Sequence, residues 1–266
     1  MKSVTVAAIQ AMKRAHEKIA CLTAYDYSFA ALLDRAGVDM VMVGDSLGMV
    51  MQGHDSTLPV SMDDMVYHAA CVARGVSRAL LIVDLPFLSY QVSPAQALEN
   101  AGRLMKDGGA QVVKLEGGAP MADTVRFLVD RGIPVCGHIG LTPQSVHQLG
   151  GYHVQGRDGV AAHRIREDAR LLQEAGASLL VLEAVPAALG EAVSAALEIP
   201  VIGIGAGAGC DGQVLVLQDM LGLYPRPSPK FSKNFMPGSA SIEAAVRAFV
   251  EAVRAGTFPG PEQSFS

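Results

Sequence analysis

The sequence contains no tryptophan, and aromatic residues make up only 5% of its 266 positions. The core must therefore be aliphatic, which suits parallel strands buried on both faces better than a sandwich. Cysteine is sparse: Cys21, Cys71, Cys136 and Cys210 lie far apart and form no CxxC pair. That spacing speaks against a disulfide framework and a thiolate metal site, and predicts reduced thiols packed as small core residues of a cytoplasmic protein. No cluster of Lys and Arg occurs, and the net charge is −5, so a nucleic-acid partner is not expected. Half the residues are hydrophobic and 18% are charged, which argues against disorder. Even so, no apolar run reaches the length of about eighteen residues needed to span a bilayer. The opening stretch MKSVTVAAIQAMKRAHEK has no uninterrupted apolar segment and reads as an amphipathic helix, not a secretory leader. No Pro/Ser/Gly-rich linker divides the chain, so one domain spanning 1–266 is expected.

What the sequence does contain is a recurring unit of helical stretch, glycine and short β-rich apolar run. The runs are KIACLT (18–23), DMVMVG (39–44), ALLIVD (79–84), AQVVKLE (110–116), PVCGHI (134–139), SLLVLE (178–183), PVIGIG (200–205) and QVLVLQ (213–218). Most lack clean alternation, as strands buried on both faces do. Ser93-Pro94-Ala95-Gln96 predicts a capped helix start, and Ser61 with Asp64 a weaker one. Gly37, Gly75, Gly108, Gly132 and Gly176 stand where helix-ending glycines belong. This alternation predicts a (β/α)8 barrel preceded by an extra helix. The last two runs are too close for a crossover helix, so the connection there must shrink to a turn. A doubly wound open sheet is the competing architecture.

In such a barrel chemistry sits at the carboxyl ends of the strands. Asp45 and Ser46 follow the second run, Asp84 ends the third, Lys114 and Glu116 the fourth, and Glu183 the sixth. Any one acid there could be a helix cap. Four acids at equivalent ends would repel one another unless a cation compensates, and oxygen donors without Cys or His suit a hard ion such as Mg²⁺. Lys114 and Glu116, two apart on one strand, share a face. Lys114 could make a plain ion pair, clamp an anionic substrate group, or form a Schiff base. His138 near the end of the fifth run could be a structural hydrogen-bonder or a catalyst. His54 and Asp55 read as loop scaffolding. The glycines of Gly203–Gly209 nominally match a dinucleotide fingerprint, the basis of a rival nicotinamide-oxidoreductase reading. No long helix follows them, and close approach of backbone to a ligand is the better explanation.

Several stretches together resemble the ketopantoate hydroxymethyltransferase family over nearly the whole chain. They are TAYD (23–26), VGDSLGMVMQGHDSTLPV (43–60), DLPF (84–87), KLEGG (114–118), GHIGLTPQ (137–144), GGYHVQGRDG (150–159), IGIGAG (202–207), DGQVLVLQDMLG (211–222) and PKFSKNF (229–235). His153 and the stretch Ala208–Cys210 depart from the family pattern. The resemblance implies a TIM barrel of the phosphoenolpyruvate/pyruvate type, a homodecamer and a place in pantothenate biosynthesis. It implies Mg²⁺ and, as co-substrate, 5,10-methylenetetrahydrofolate, whose one-carbon unit passes to 3-methyl-2-oxobutanoate to give 2-dehydropantoate. By motif it assigns metal binding to Asp45, Asp84 and Glu116; because Mg²⁺ usually takes only one or two protein carboxylates and keeps waters, Glu116 is expected to act through water. Oxo acid contacts fall to Asp45, Ser46, Asp84 and Lys114, and proton abstraction to Glu183. We add His138 to the substrate contacts from its place at the mouth. A Mg²⁺-dependent carbon–carbon lyase acting on another 2-oxo acid is the alternative within the same chemistry.

Overall fold

A computed structural model describes residues 3–266. Met1 and Lys2 of the opening stretch lie outside the described residues. Eight parallel strands close into a barrel in sequence order: β1 Ile19–Thr23, β2 Met40–Val43, β3 Leu80–Asp84, β4 Val112–Glu116, β5 Val135–Gly140, β6 Leu179–Glu183, β7 Val201–Ile204 and β8 Gly212–Leu215. Every predicted run is a strand, and closure through the β1–β8 pairing removes the open-sheet alternative.

The absence of alternation in the sequence has a direct cause. Ile19 and Cys21, Met40 and Met42, Leu80 and Ile82, Val112, Cys136, Leu179 and Val181 form one cluster inside the barrel. Their neighbours Ala20, Leu22, Val41, Val43, Leu81, Val83, Val113 and Leu115 pack outward under the helices. Both faces are dry, so both sets are apolar. Cys21 and Cys136 are thus interior fillers, and burial first of all raises their thiol pKa values, that of Cys136 to about 12. Cys71 is only half-buried, unlike the other three. The opening helix, Val6–Arg14, closes the amino-terminal end of the barrel: its Ile9 is fully buried in the interior cluster.

No helix links β7 to β8. Instead Asp211 in that turn accepts from Lys13 Nζ (2.7 Å), Ser194 Oγ (2.9 Å) and Val201 N (2.8 Å). The glycines of this connection approach protein rather than a ligand, contrary to expectation. A Cβ on Gly207 would lie 2.6 Å from Ala187 Cβ, one on Gly209 2.6 Å from Glu191 Cβ, and one on Gly205 2.8 Å from Phe231. They let the turn lie flat on the helix Ala187–Ala196, which leaves the fingerprint reading without a phosphate cradle.

Two local expectations change. The complete capping box belongs to Ser61, where Ser61 Oγ accepts from Asp64 N and Asp64 Oδ2 accepts from Ser61 N. At Ser93 only half of it forms, because Gln96 Oε1 accepts from Val92 N instead. Gly37, Gly132 and Gly176 adopt positive φ after their helices, but Gly75 and Gly108 do not. Gly75 is still helical and marks a close crossing: a Cβ there would sit 2.6 Å from Tyr27 O and 2.9 Å from Ala30 Cβ on the helix Tyr27–Ala36. Gly75→Ala is therefore expected to destabilise by about 1–3 kcal/mol through overpacking. An open helical site would instead gain about 1 kcal/mol from the same change. Urea unfolding distinguishes the two signs.

Candidate active site

The inward period-two positions that build the barrel interior continue upward into polar residues. Above Leu80 and Ile82 stands Asp84; above Val112 stand Lys114 and Glu116; above Cys136 stands His138; above Leu179 and Val181 stands Glu183. Strand register then decides neighbours. Asp84 pairs with Lys114, Glu116 with His138, and Gly140 with Glu183. Asp84, Lys114, Glu116, His138 and Glu183, with Asp45 and Ser46, line one cavity of about 650 Å³ at the carboxyl ends of the strands.

Asp45, Asp84, Lys114, Glu116 and His138 are buried; Glu183 keeps some exposure. Lys114 Nζ lies 3.2 Å from Asp84 Oδ2 and 3.1 Å from His138 Nδ1. Asp84 Oδ2 also accepts from Asp45 N (3.1 Å), while Asp84 Oδ1 is buried with no partner. Burial, reinforced by Asp84 and Glu116, pushes the Asp45 carboxyl well above the ordinary carboxylate range. Burial also raises Asp84, with Lys114 opposing it. Glu116 is lowered instead, because its contacts with His138 and Lys114 outweigh its burial. Lys114 is held above its ordinary value: burial lowers it, but Asp84, Glu116 and Asp45 prevail.

His138 stands between two acids, with Nδ1 3.4 Å from Glu116 Oε1 and Nε2 3.2 Å from Glu183 Oε2. The second contact is close but poorly aligned, and Nε2 makes no directional hydrogen bond. Burial and Lys114 depress the imidazole pKa; Glu116 and Glu183 more than offset them, and it rises to about 9. His138 thus stands between the acid cluster and Glu183, and these acids draw its pKa upward.

Residues the sequence reading passed over hold this arrangement. Gln144, on a single turn after β5, donates from Nε2 to Asp45 Oδ2 (2.8 Å) and Leu85 O (2.9 Å), and from its backbone N to Glu116 Oε2 (2.9 Å). Tyr90 donates to Gln144 Oε1 (2.6 Å), and its hydroxyl accepts from Glu116 N (3.1 Å). Tyr25 and Ser46 share a hydroxyl contact of 2.9 Å. Only the inclusion of Gln144 in the GHIGLTPQ stretch hinted at its place; an uncharged amide in a loop has no pattern of its own. His54 and Asp55 do not line the cavity. Asp55 is exposed and pairs with Arg226 at 2.8 Å, tying together two loops beside the mouth. His153 is exposed, its Nε2 3.0 Å from Gly150 O, and also stands clear of the cavity.

Solved structures of similar shape are parallel barrels of the phosphoenolpyruvate mutase/isocitrate lyase superfamily. A 2,3-dimethylmalate lyase of that superfamily superposes with a TM-score of 0.59 at 15% identity, covering 98% of this chain and all of that one. An oxaloacetate acetylhydrolase does so with a TM-score of 0.60 at 13% identity, covering 98% of this chain and 99% of that one. Such likeness speaks to fold. Sequence relatives speak to more. A 3-methyl-2-oxobutanoate hydroxymethyltransferase of Methylobacillus flagellatus is 63% identical over 257 residues, covering 97% of this chain and 98% of that protein. That of Halorhodospira halophila is 59% identical over 263 residues, covering 99% and 95%. The family model for ketopantoate hydroxymethyltransferase matches residues 3–261. Identity this high, sustained from one end of the described barrel to the other, places the chain in the ketopantoate hydroxymethyltransferase family.

Proposed function

We propose that this chain transfers the one-carbon unit of 5,10-methylenetetrahydrofolate to 3-methyl-2-oxobutanoate, giving 2-dehydropantoate, with Mg²⁺ held among Asp45, Asp84 and Glu116. Family membership carries the coarser part: the chain is a hydroxymethyltransferase of the pantothenate pathway. The metal-assisted part rests on one observation, the charge balance of the buried mouth. Lys114 and His138 stand against four carboxylates, and Asp84 Oδ1 is buried without a partner. A buried polar atom left unpaired is costly, and a hard cation satisfies an orphaned carboxylate oxygen directly.

Among the described residues no three His, Cys, Asp or Glu side chains close into a ready cation cage. Mg²⁺ does not need one, since it ordinarily takes one or two carboxylates and keeps its waters. Asp45 and Asp84 suit direct contact. Both oxygens of Glu116 already face Gln144 N and His138 Nδ1, which suits contact through water. Bound there, Mg²⁺ supplies Lewis-acid stabilisation of the charge that develops on the keto oxygen.

The chain's own residues do the rest. Lys114 offsets the substrate carboxylate, and Ser46 offers it a hydroxyl. Glu183, across the cavity, takes the proton from C3, and His138 holds the Glu183 carboxylate in place. Water adds to the methylene bridge and both of its C–N bonds break, which leaves tetrahydrofolate and a one-carbon unit at the formaldehyde level; the C3 carbanion attacks that carbon, and the alkoxide so formed takes a proton back from Glu183 to become the hydroxymethyl group. Incubation with both substrates and Mg²⁺ should yield 2-dehydropantoate. Cleavage of a 2-oxo acid without folate, and no dehydropantoate with it, would replace this reading by the lyase.

Lys114→Ala is expected to raise the KM for the oxo acid with a smaller change in kcat, because its charge meets the substrate before and during reaction. Borohydride should trap no substrate on the wild-type enzyme; a covalent adduct at Lys114 would overturn the clamp in favour of a Schiff base.

A further inference from the structure

The cavity is larger than the chemistry assigned to it. A branched oxo acid as small as 3-methyl-2-oxobutanoate fills a fraction of 650 Å³. The acids that would hold it follow β2, β3 and β4. On the other side of β1, after β8, a different wall carries one more carboxylate, Asp219, which no step above uses. Asp219 is 6% exposed, and its Oδ1 is buried with no partner. It lies in the short helix Leu217–Met220, yet none of that helix's N–H groups satisfies this oxygen. Burial raises its carboxyl to about 6, with no cation nearby to oppose it. Two further unpartnered buried atoms, Thr57 Oγ1 and Tyr224 Oη, belong to residues lining the same cavity. The wall between is apolar, formed by Val214, Val216 and Phe231.

We propose that Asp219 binds the edge of the pterin ring of the one-carbon donor, with Tyr224 and Thr57 as accessory polar contacts. This rests on the hydroxymethyl transfer proposed above and names where its second substrate sits. The 2-amino-4-oxo edge of a pterin presents two parallel N–H donors on a flat apolar ring. A carboxylate accepts such a pair through both oxygens. A lone acid in an apolar wall, short of donors, matches that ring better than it matches water or a cation, which the opposite acid cluster would capture first. A site built to accept a ligand's N–H groups also discriminates sharply against a ligand that lacks them.

Asp219→Asn keeps shape and removes the charge. It is expected to raise the KM for 5,10-methylenetetrahydrofolate, and the Kd for tetrahydrofolate by calorimetry, about 10- to 100-fold, the range for a hydrogen bond to a charged group. The KM for the oxo acid should move less than twofold, and C3-proton exchange run without folate less than threefold. An unchanged folate Kd, or equal losses for both substrates, would overturn the assignment. A second measurement needs only wild-type protein. A tetrahydropterin should compete with the donor, and its 2-desamino analogue should bind at least about tenfold more weakly; equal inhibition by the two would also overturn it. If the wild type formed no 2-dehydropantoate, the hydroxymethyl transfer itself would fall. In an enzyme that does form it, only the Asp219 subsite is at stake.

Discussion

Glu183→Gln is expected to slow exchange of the C3 proton of 3-methyl-2-oxobutanoate with deuterated water by about 10²–10⁴, the usual cost of removing a general base. The amide is nearly isosteric with the carboxylate but cannot accept the proton. Fold and oxo acid affinity should be retained, because the charged partner Glu183 meets is His138 and not one of the three acids proposed to hold the metal. The exchange is followed by NMR without folate, after exchange by the wild type has been established. It isolates proton transfer from the later carbon–carbon step. Exchange at the wild-type rate in the variant would remove Glu183 from this role. His138, the nearest titratable group at 3.2 Å, would then be the next candidate.

Stripping divalent cations should abolish turnover, and Mg²⁺ should restore it, because the acid cluster supplies hard oxygen donors and no thiolate. Full turnover in excess chelator, with the metal shown to be gone, would sink the metal-assisted reading. Asp84→Asn is the sharper probe. It keeps the volume, weakens the contact with Lys114 at 3.2 Å and takes a charge from the proposed metal contact. Affinity for Mg²⁺ and for the oxo acid should fall together, since each completes the site of the other. Breaking a buried pair outright typically costs about 3–5 kcal/mol of stability, so thermal unfolding must be checked alongside. Unchanged affinity for both ligands would return Asp84 to a structural role as the acceptor for Asp45 N and Lys114.

Strand positions were legible because they depend on local composition: short Val/Ile/Leu runs punctuated by glycine leave few alternatives to a parallel sheet covered on both sides. That the acids share one mouth also followed, since all strands of a parallel barrel point the same way. Caps and glycines were read less well. Whether Ser61 or Ser93 closes its box depends on where one side chain turns, and Gly75 owes its place to a helix that crosses it from more than forty residues earlier in the chain.

The sequence by itself determined the strand–helix alternation, the placing of Asp84, Lys114, Glu116 and Glu183 at the carboxyl ends of their strands, and the family. Each follows from local periodicity or from long uninterrupted motif agreement. Only the tertiary structure decided who touches whom. His138 bridges Glu116 and Glu183 because neighbouring strands are in one particular register. Gln144 reaches Asp45, ninety-nine positions away, because the turn after β5 folds across the mouth. Asp219 is a lone acid in an apolar wall only because β8 closes against β1. Side-chain chemistry is written residue by residue, but pKa, partnership and unpaired oxygens are properties of distance and burial, which come into being when the sheet closes.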